Sequence, residues 1–297
     1  MNKLKFLKQD QINYKKWDTL IEQYSKGLPY AYSWYLDSVC EHWNVIIYKD
    51  YEAGFAFQIK KKYGIAYSFH PFLIQQLGFF GSDNSIFNLI LSEIERKVFH
   101  YHYQLNYFNQ EIKNTFEIKD NYELFLSKNI EGLRKNYNSN NKRNIKKSKS
   151  NNITINIENN INESELDFIK QNGKLAFNGI REQQFKKLMI NANKNSSLEI
   201  YKAFVKEELV SVVIFIKNNL RAVYLIAASN AEGKTSKANF LIVDTFIQNH
   251  ANSNIILDFE GSNIQGIARF YSGFGAKKTT YQSIKKSSLK NIISKLI

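Results

Sequence analysis

Apolar and polar positions along this chain repeat with two periods, and the switches between them outline its elements. Residues 18–24 and 35–42 carry short helical spacings, with Ser33 set to cap the second helix. Residues 43–48 and 52–60 run apolar or alternate, as strands do, around a turn at 49–51. A third strand is expected at 66–69, just before Pro71. Residues 87–99 return to the helical period through Leu89, Ile90, Ile94 and Val98, and 104–108 reads as a further strand.

Between residues 128 and 160 large apolar residues thin out, and Asn, Lys and Ser take over. A domain junction is expected there, dividing the chain into 1–127 and 128–297. Inside that stretch Leu133, Tyr137, Asn141 and Ile145 keep helical spacing, so 129–148 is expected to be a polar, basic helix. Residues 153–157 alternate as a strand. A helix over 163–172 should start at Asn162, with Glu165 three residues on as in a capping box. A helix at 181–193 precedes three successive strands at 198–205, 209–217 and 221–228. A helix at 239–251, a strand at 255–260 and a helix at 264–271 complete the order. The first half looks like a reduced copy of it, in element order and not in sequence.

Composition narrows the classes. With 43% hydrophobic and 14% aromatic residues, disorder across the whole chain is excluded. The net charge of +14 favours a phosphate-bearing cofactor, RNA or an anionic membrane surface. General lysine richness explains it equally well, since lysines occur in both halves. The lone Cys40 excludes an intramolecular disulfide and a Cys-based zinc cluster. His100 and His102 lack a nearby carboxylate, so no metal is expected. The N-terminus lacks an apolar signal-peptide core, and no apolar run is long enough to cross a bilayer. A cytoplasmic protein is expected, held at most loosely at the inner leaflet by its charge.

The chemistry concentrates in residues 255–276. Asp258 and Glu260 are two apart, so on a strand both carboxylates share a face. A turn at Gly261, Ser262 and Asn263 follows, then a short helical run and the segment 272–275. Acids at a strand end, a glycine turn and an aromatic anchor can form the floor of a ligand cleft. Asp258 and Glu260 are the candidate base or ammonium site, with mutual repulsion raising one of their pKa values. Alternatively the acids cap the next helix, as Ser262 or Asn263 could, or pair with Arg143 or Arg269.

The runs 258–262, 266–271 and 274–276 resemble the C-terminal signature of the Fem-like branch of the GNAT acyltransferase superfamily. The nearest resemblance is to an uncharacterised two-lobed group common in Bacteroidota. Residues 71–78, the basic run 141–147 and the strand and turn 224–233 extend it in the expected order. The resemblance implies an α/β fold of mixed, α+β type: two tandem lobes of the GNAT (acyl-CoA N-acyltransferase) fold with a groove between them. It implies acyl or aminoacyl transfer to an amine, with acyl-CoA such as acetyl-CoA as donor. Ser229, Asn230, Gly233, Lys234 and Lys237 would hold the CoA pyrophosphate. That turn has one glycine and so departs from the usual Arg/Gln-x-x-Gly-x-Gly/Ala pattern. Fem-like enzymes lack the pattern too, and take their acyl group from aminoacyl-tRNA. Arg143 on the basic helix would grip a phosphate, Gln75 and Gln76 would line the groove, and Ser262, Arg269 and Tyr271 complete the implied substrate-binding set. The implied acceptor is a small molecule or a cell-envelope precursor. A catalytically silent GNAT-fold binding protein is the reading from outside the enzyme class.

Overall fold

The computed structural model describes residues 3–109, 117–173, 177, 179–261 and 264–287. The chain divides into two compact units: the first takes residues up to Lys119 and the chain from Thr280, the second is Asp120–Thr279.

The first unit contains β1 (Leu4–Lys8), α1 (Tyr14–Tyr24), α2 (Ser33–Val39), β2 (Asn44–Tyr48), β3 (Ala53–Phe57), β4 (Lys60–Lys62), β5 (Ile65–Phe69), β6 (Phe79–Phe80), α3 (Asn84–Lys97) and β7 (His100–Gln104). Strands β1, β2, β3 and β6 form one antiparallel sheet. In the other, β4 and β5 form a hairpin, β5 runs parallel to β7, and β7 pairs with the returning chain at 283–287. Helix α3 buries Phe87, Ile90, Leu91 and Ile94 against Phe55, Phe57 and Phe79, as its 3.6-residue apolar stripe requires.

Two local expectations change. Tyr32, not Ser33, is the N-cap of α2. Ser33 donates its N–H and its hydroxyl to Asp18 of α1, at 2.7 and 2.6 Å, so an acid from another helix serves as the cap. The strand expected at 104–108 lies earlier, at His100–Gln104. Beyond it, the Asn106 amide donates to the Phe79 carbonyl at 2.9 Å and the Asn109 amide oxygen accepts the Phe79 N–H at 3.1 Å. Side-chain amides there take the place of a strand ladder.

The second unit contains most of β8 (Glu117–Phe125), then α4 (Ile130–Lys135), α5 (Ser139–Ser150), β9 (Thr154–Glu158), α6 (Glu163–Asn172), α7 (Gly179–Lys194), β10 (Leu198–Val205), β11 (Glu208–Lys217), β12 (Arg221–Ser229), α8 (Ala231–Ser236), α9 (Ala238–Asn249), β13 (Ile256–Asp258), α10 (Gln265–Ser272) and the start of β14 (Lys277–Ser287). Its strands lie in the order β8-β13-β12-β11-β10-β9. All neighbours are antiparallel except β12 and β13. The single basic helix expected at 129–148 is two helices. Asn138 accepts the Asn141 N–H at 2.8 Å and so caps a new start, just as Asn129 caps α4. The capping box of α6 is present, with Asn162 and Glu165 exchanging bonds. The buried Lys202 also pairs with Glu165 and Glu158, which ties β10 to α6 and β9. The core is largely aromatic, with the rings of Phe215 and Phe246 stacked 3.9 Å apart.

His70, just past β5, gives the first unit an acid sensitivity. Its Nδ1 accepts the Gln104 N–H at 3.3 Å, which requires the neutral ring. Burial pushes its pKa down to about 3. An unfolded histidine titrates near pH 6.5. The folded value is the lower one, so the contribution to stability is whole above about pH 6.5 and is lost as pH falls toward that folded value. Chemical denaturation as a function of pH should show stability falling by up to about 1.4 kcal/mol per pH unit below about pH 6. His70→Gln should flatten that part of the curve.

Candidate functional site

The geometry starts where two strands part. β12 and β13 run parallel through only three pairs, Arg221–Ile256, Ala222–Leu257 and Val223–Asp258. β12 then continues to Ser229, whereas β13 stops at Asp258. The register of β12 against β11 skips Leu225, a one-residue bulge that sharpens the bend at this point. The fork opens into a cavity of about 820 Å³ inside the second unit. Tyr224–Ala227 form one wall, α6 contributes Ile169 and Asn172, and α10 contributes Ile267, Phe270 and Tyr271. The corner between α8 and α9 contributes Lys234, Lys237 and Asn239.

A buried ion network closes the fork. The Arg221 guanidinium donates through Nη1 to Asp258 Oδ2 at 2.5 Å and to Glu123 Oε1 at 2.7 Å. Arg221 is 1% exposed, Asp258 0% and Glu123 4%. Burial pushes the Glu123 carboxyl up, Arg221 pulls it back, and Asp258 raises it again. The remaining oxygen of Asp258 accepts from the Asn121 amide at 3.1 Å and from the Glu260 N–H at 2.9 Å. That last bond closes a tight turn in which Glu260 takes a left-handed backbone, φ +59°. Strand alternation therefore does not reach Glu260. Asp258 points inward to Arg221, and Glu260 lines the cavity. The two acids do not share a face, and neither Arg143 nor Arg269 is the partner of Asp258.

The other candidates separate in the same way. Ser229, Gly233, Lys234 and Lys237 line the cavity; Asn230 instead caps α8, accepting the Gly233 N–H at 2.8 Å. Glycine is required at 233 because a Cβ would sit 2.1 Å from the Val210 carbonyl oxygen. Lys237, with φ +66°, ends α8 and begins α9, and no side chain caps α9. The N-terminus of α9 thus faces the cavity beside two lysines, where backbone N–H groups and the helix dipole favour an anion. Tyr271 lines the cavity, and burial, then the charges of Glu260 and Asp258, push its phenol well up, so it stays protonated. Arg269 is exposed on α10, and Arg143 is exposed on α5 with its guanidinium on Asn140. Gln76 of the first unit is the buried amide expected there: it accepts the Tyr107 N–H and donates to Gln75, both at 2.9 Å. Ser262 lies outside the described residues.

Sequence reasoning missed Arg221, Tyr224, Asn239 and Phe240. Only Arg221 left a signal: an arginine heading an otherwise apolar strand needs a buried acid as partner. Among the described residues, no group of three or more His, Cys, Asp or Glu could hold a metal ion.

No family model and no curated protein matches this sequence. Solved structures do match. FemX aligns with a TM-score of 0.66 at 10% identity, over 94% of this chain and 96% of that one. The C-terminal domain (DUF2156) of a putative lysylphosphatidylglycerol synthetase from Agrobacterium fabrum gives 0.59 at 9%, over 95% and 94%. A tandem GNAT protein from the clavulanic acid biosynthesis pathway gives 0.55 at 9%, over 95% and 98%. The chain therefore has the mixed α/β fold of the tandem GNAT and Fem-type proteins, in agreement with the resemblance of its motifs.

The network makes a stability prediction. Arg221→Leu leaves two buried carboxylates without their cation and should destabilise the protein by about 3–5 kcal/mol in urea unfolding. Asp258→Asn keeps an acceptor for the Glu260 N–H and should cost clearly less.

Proposed function

We propose that this protein is an N-acyltransferase that binds an acyl-CoA donor in the cavity at the β12–β13 fork. The observation that carries the reading is the pairing of opposite chemistries in one cavity. The uncapped N-terminus of α9 with Lys234 and Lys237 suits a diphosphate, while Glu260 and Tyr271 suit proton transfer. The glycine-rich phosphate loop is missing, and the Gly233 N–H is already used by Asn230. The anion would therefore rest on α9 and the two lysines. Beyond Val223, β12 has no strand partner on the cavity side among the described residues, so its backbone can hydrogen-bond an extended, amide-bearing donor arm.

Acyl-CoA supplies an acyl group already activated as a thioester. Glu260 takes the proton of the incoming ammonium, directly or through water, and frees the amine as nucleophile. Backbone N–H groups of β12 stabilise the developing oxyanion. The protonated Tyr271 hydroxyl can supply the proton that the departing thiolate needs. Asp258 is outside this scheme except through its bond to the Glu260 N–H. The acceptor is a primary amine on a small molecule or a cell-envelope precursor.

A second donor has its own support. Lys142, Arg143, Lys146, Lys147 and Lys149 form an exposed basic face on α5, which suits the phosphates of an aminoacyl-tRNA. Calorimetric titration with acetyl-CoA and, separately, with aminoacyl-tRNA tests both. Under the CoA reading, acetyl-CoA binds saturably and Lys237→Ala weakens it by about fivefold, as expected for one helix-terminal cation. Glu260→Gln should keep that affinity and lower turnover by about a hundredfold or more. Binding of tRNA alone, steeply weakened by salt, selects the second donor. Silence with both supports a GNAT-fold protein without catalysis.

A further inference from the structure

The β4–β5 hairpin of the first unit carries at its tip a residue that its own turn does not favour. Its turn is only two residues, Tyr63 and Gly64, with Lys62 opposite Ile65. Both turn residues are left-handed, φ +50° and +78°, as a type I′ turn demands. Asn, Asp or Gly is favoured at the first position, and an aromatic residue there is strained. Tyr63 is nevertheless present, and it is 92% exposed. A Cβ added at Gly64 would meet no atom within 4 Å, so the tip stands clear of the rest of the chain.

The hairpin is also sorted along its length. Its two turn residues are uncharged, and Lys60, Lys61 and Lys62 of the adjoining strand are all exposed, with the Lys62 ammonium 5.5 Å from the centre of the Tyr63 ring. Among the described residues none of the three is in an ion pair. One face continues the tip's apolar surface. Ile65, Tyr67 and Phe69 alternate onto it while Ser68 is buried on the other, and Ile65 and Phe69 are 48% and 42% exposed. Lys60 and Lys62 share that face as the cross-strand partners of Tyr67 and Ile65. An apolar tip with a collar of lysines matches the layering of an anionic lipid surface: acyl boundary, then phosphates.

We propose that this hairpin is a membrane-docking element that inserts Tyr63 and Ile65 at the interface of an anionic bilayer while Lys60, Lys61 and Lys62 meet the lipid phosphates. Single-stranded nucleic acid fits less well. The exposed rings meet one another at an angle, Tyr67 to Phe69 at 51° and Phe69 to His100 at 69°, and do not offer parallel faces to successive bases. Ile65 on the same face would also have no stacking role. Among the described residues no helix is long and apolar enough to cross a membrane, so the contact would be peripheral.

Vesicle flotation of the full chain tests this. The wild type should float with mixed phosphatidylglycerol–phosphatidylcholine vesicles, should not float with phosphatidylcholine alone, and should be released by high salt. The informative variant is Tyr63→Asn, because Asn followed by Gly is the preferred type I′ turn and keeps the hairpin. It should weaken vesicle binding by about fivefold or more with an unchanged or raised Tm. Replacing all three lysines by serine should weaken it by about a hundredfold, at about fivefold per lysine. Undiminished binding by Tyr63→Asn, equal binding to neutral vesicles, or no vesicle binding overturns the proposal. Tyr63-dependent binding of single-stranded RNA without vesicle binding reassigns the hairpin to nucleic acid.

Discussion

The second unit depends on one buried cation. Arg221 sits at the start of β12 and reaches a carboxylate on each of the next two strands, Asp258 on β13 and Glu123 on β8. Only three residue pairs join β12 to β13, a short ladder for a parallel pair. The guanidinium reinforces that junction at the point where the strands must separate. Two acids crowd one buried arginine, and the Asn121 amide and the Glu260 N–H supply further donors to Asp258. Such a cluster is no more stable than well-packed apolar residues would be. Its value is in geometry: it ends the strand pairing at a fixed residue and turns the chain toward the cavity.

Everything the cavity contains follows from that ending. Because β13 stops at Asp258, β12 has no strand partner on its cavity side from Tyr224 onward among the described residues. The skipped Leu225 bends the strand away at the same level. On the far side of β12, a second bulge lets the Val210 carbonyl approach α8 so closely that only Gly233 fits. That contact seats α8, and α8 hands the chain to α9 through Lys237 with no capping side chain between them. The positive end of α9 and the carboxylate of Glu260 are thus set by backbone constraints on neighbouring strands, the bulges at Val210 of β11 and Leu225 of β12 and the early stop of β13.

Much of this fold was legible from the residues, and the gaps have physical causes. The strands at 198–229 and the helix caps at Asn162 are strong because long apolar runs and capping boxes are local signals. Gln76 was readable as a buried amide because a glutamine pair beside an apolar segment must find partners. The pairing of Asp258 was not readable, because its partner lies 37 positions earlier and alternation suggested a shared face with Glu260. Alternation fails where a residue leaves the extended region, and nothing at Glu260 announces a left-handed backbone. The break between α4 and α5 was hidden for a similar reason: Leu133, Tyr137 and Asn141 keep a helical spacing across it, while α4 ends with its C-cap at Asn136 and the Asn138 side chain begins α5. Strand β1 escaped notice because its five residues alternate Leu, Phe and Lys too briefly to stand out.

Left-handed residues tie these observations together. Most non-glycine examples here are polar residues in turns between strands or helices, such as Lys49, Lys206 and Asn252, where the cost is small. Lys237 and Glu260 are different, since each is the charged group its element delivers to the cavity. Glycine would relieve the backbone at either position, and it would also delete the ammonium or the carboxylate. The strain at each is on the order of 1–3 kcal/mol, and the surrounding structure must offset it. The Arg221 guanidinium engages Asp258 and Glu123, while the Glu260 backbone N–H bonds to Asp258 and its side chain lines the cavity. The left-handed turn therefore sets a carboxylate in the wall of the same cavity that Lys234 and Lys237 line, so one backbone feature decides which charges meet there.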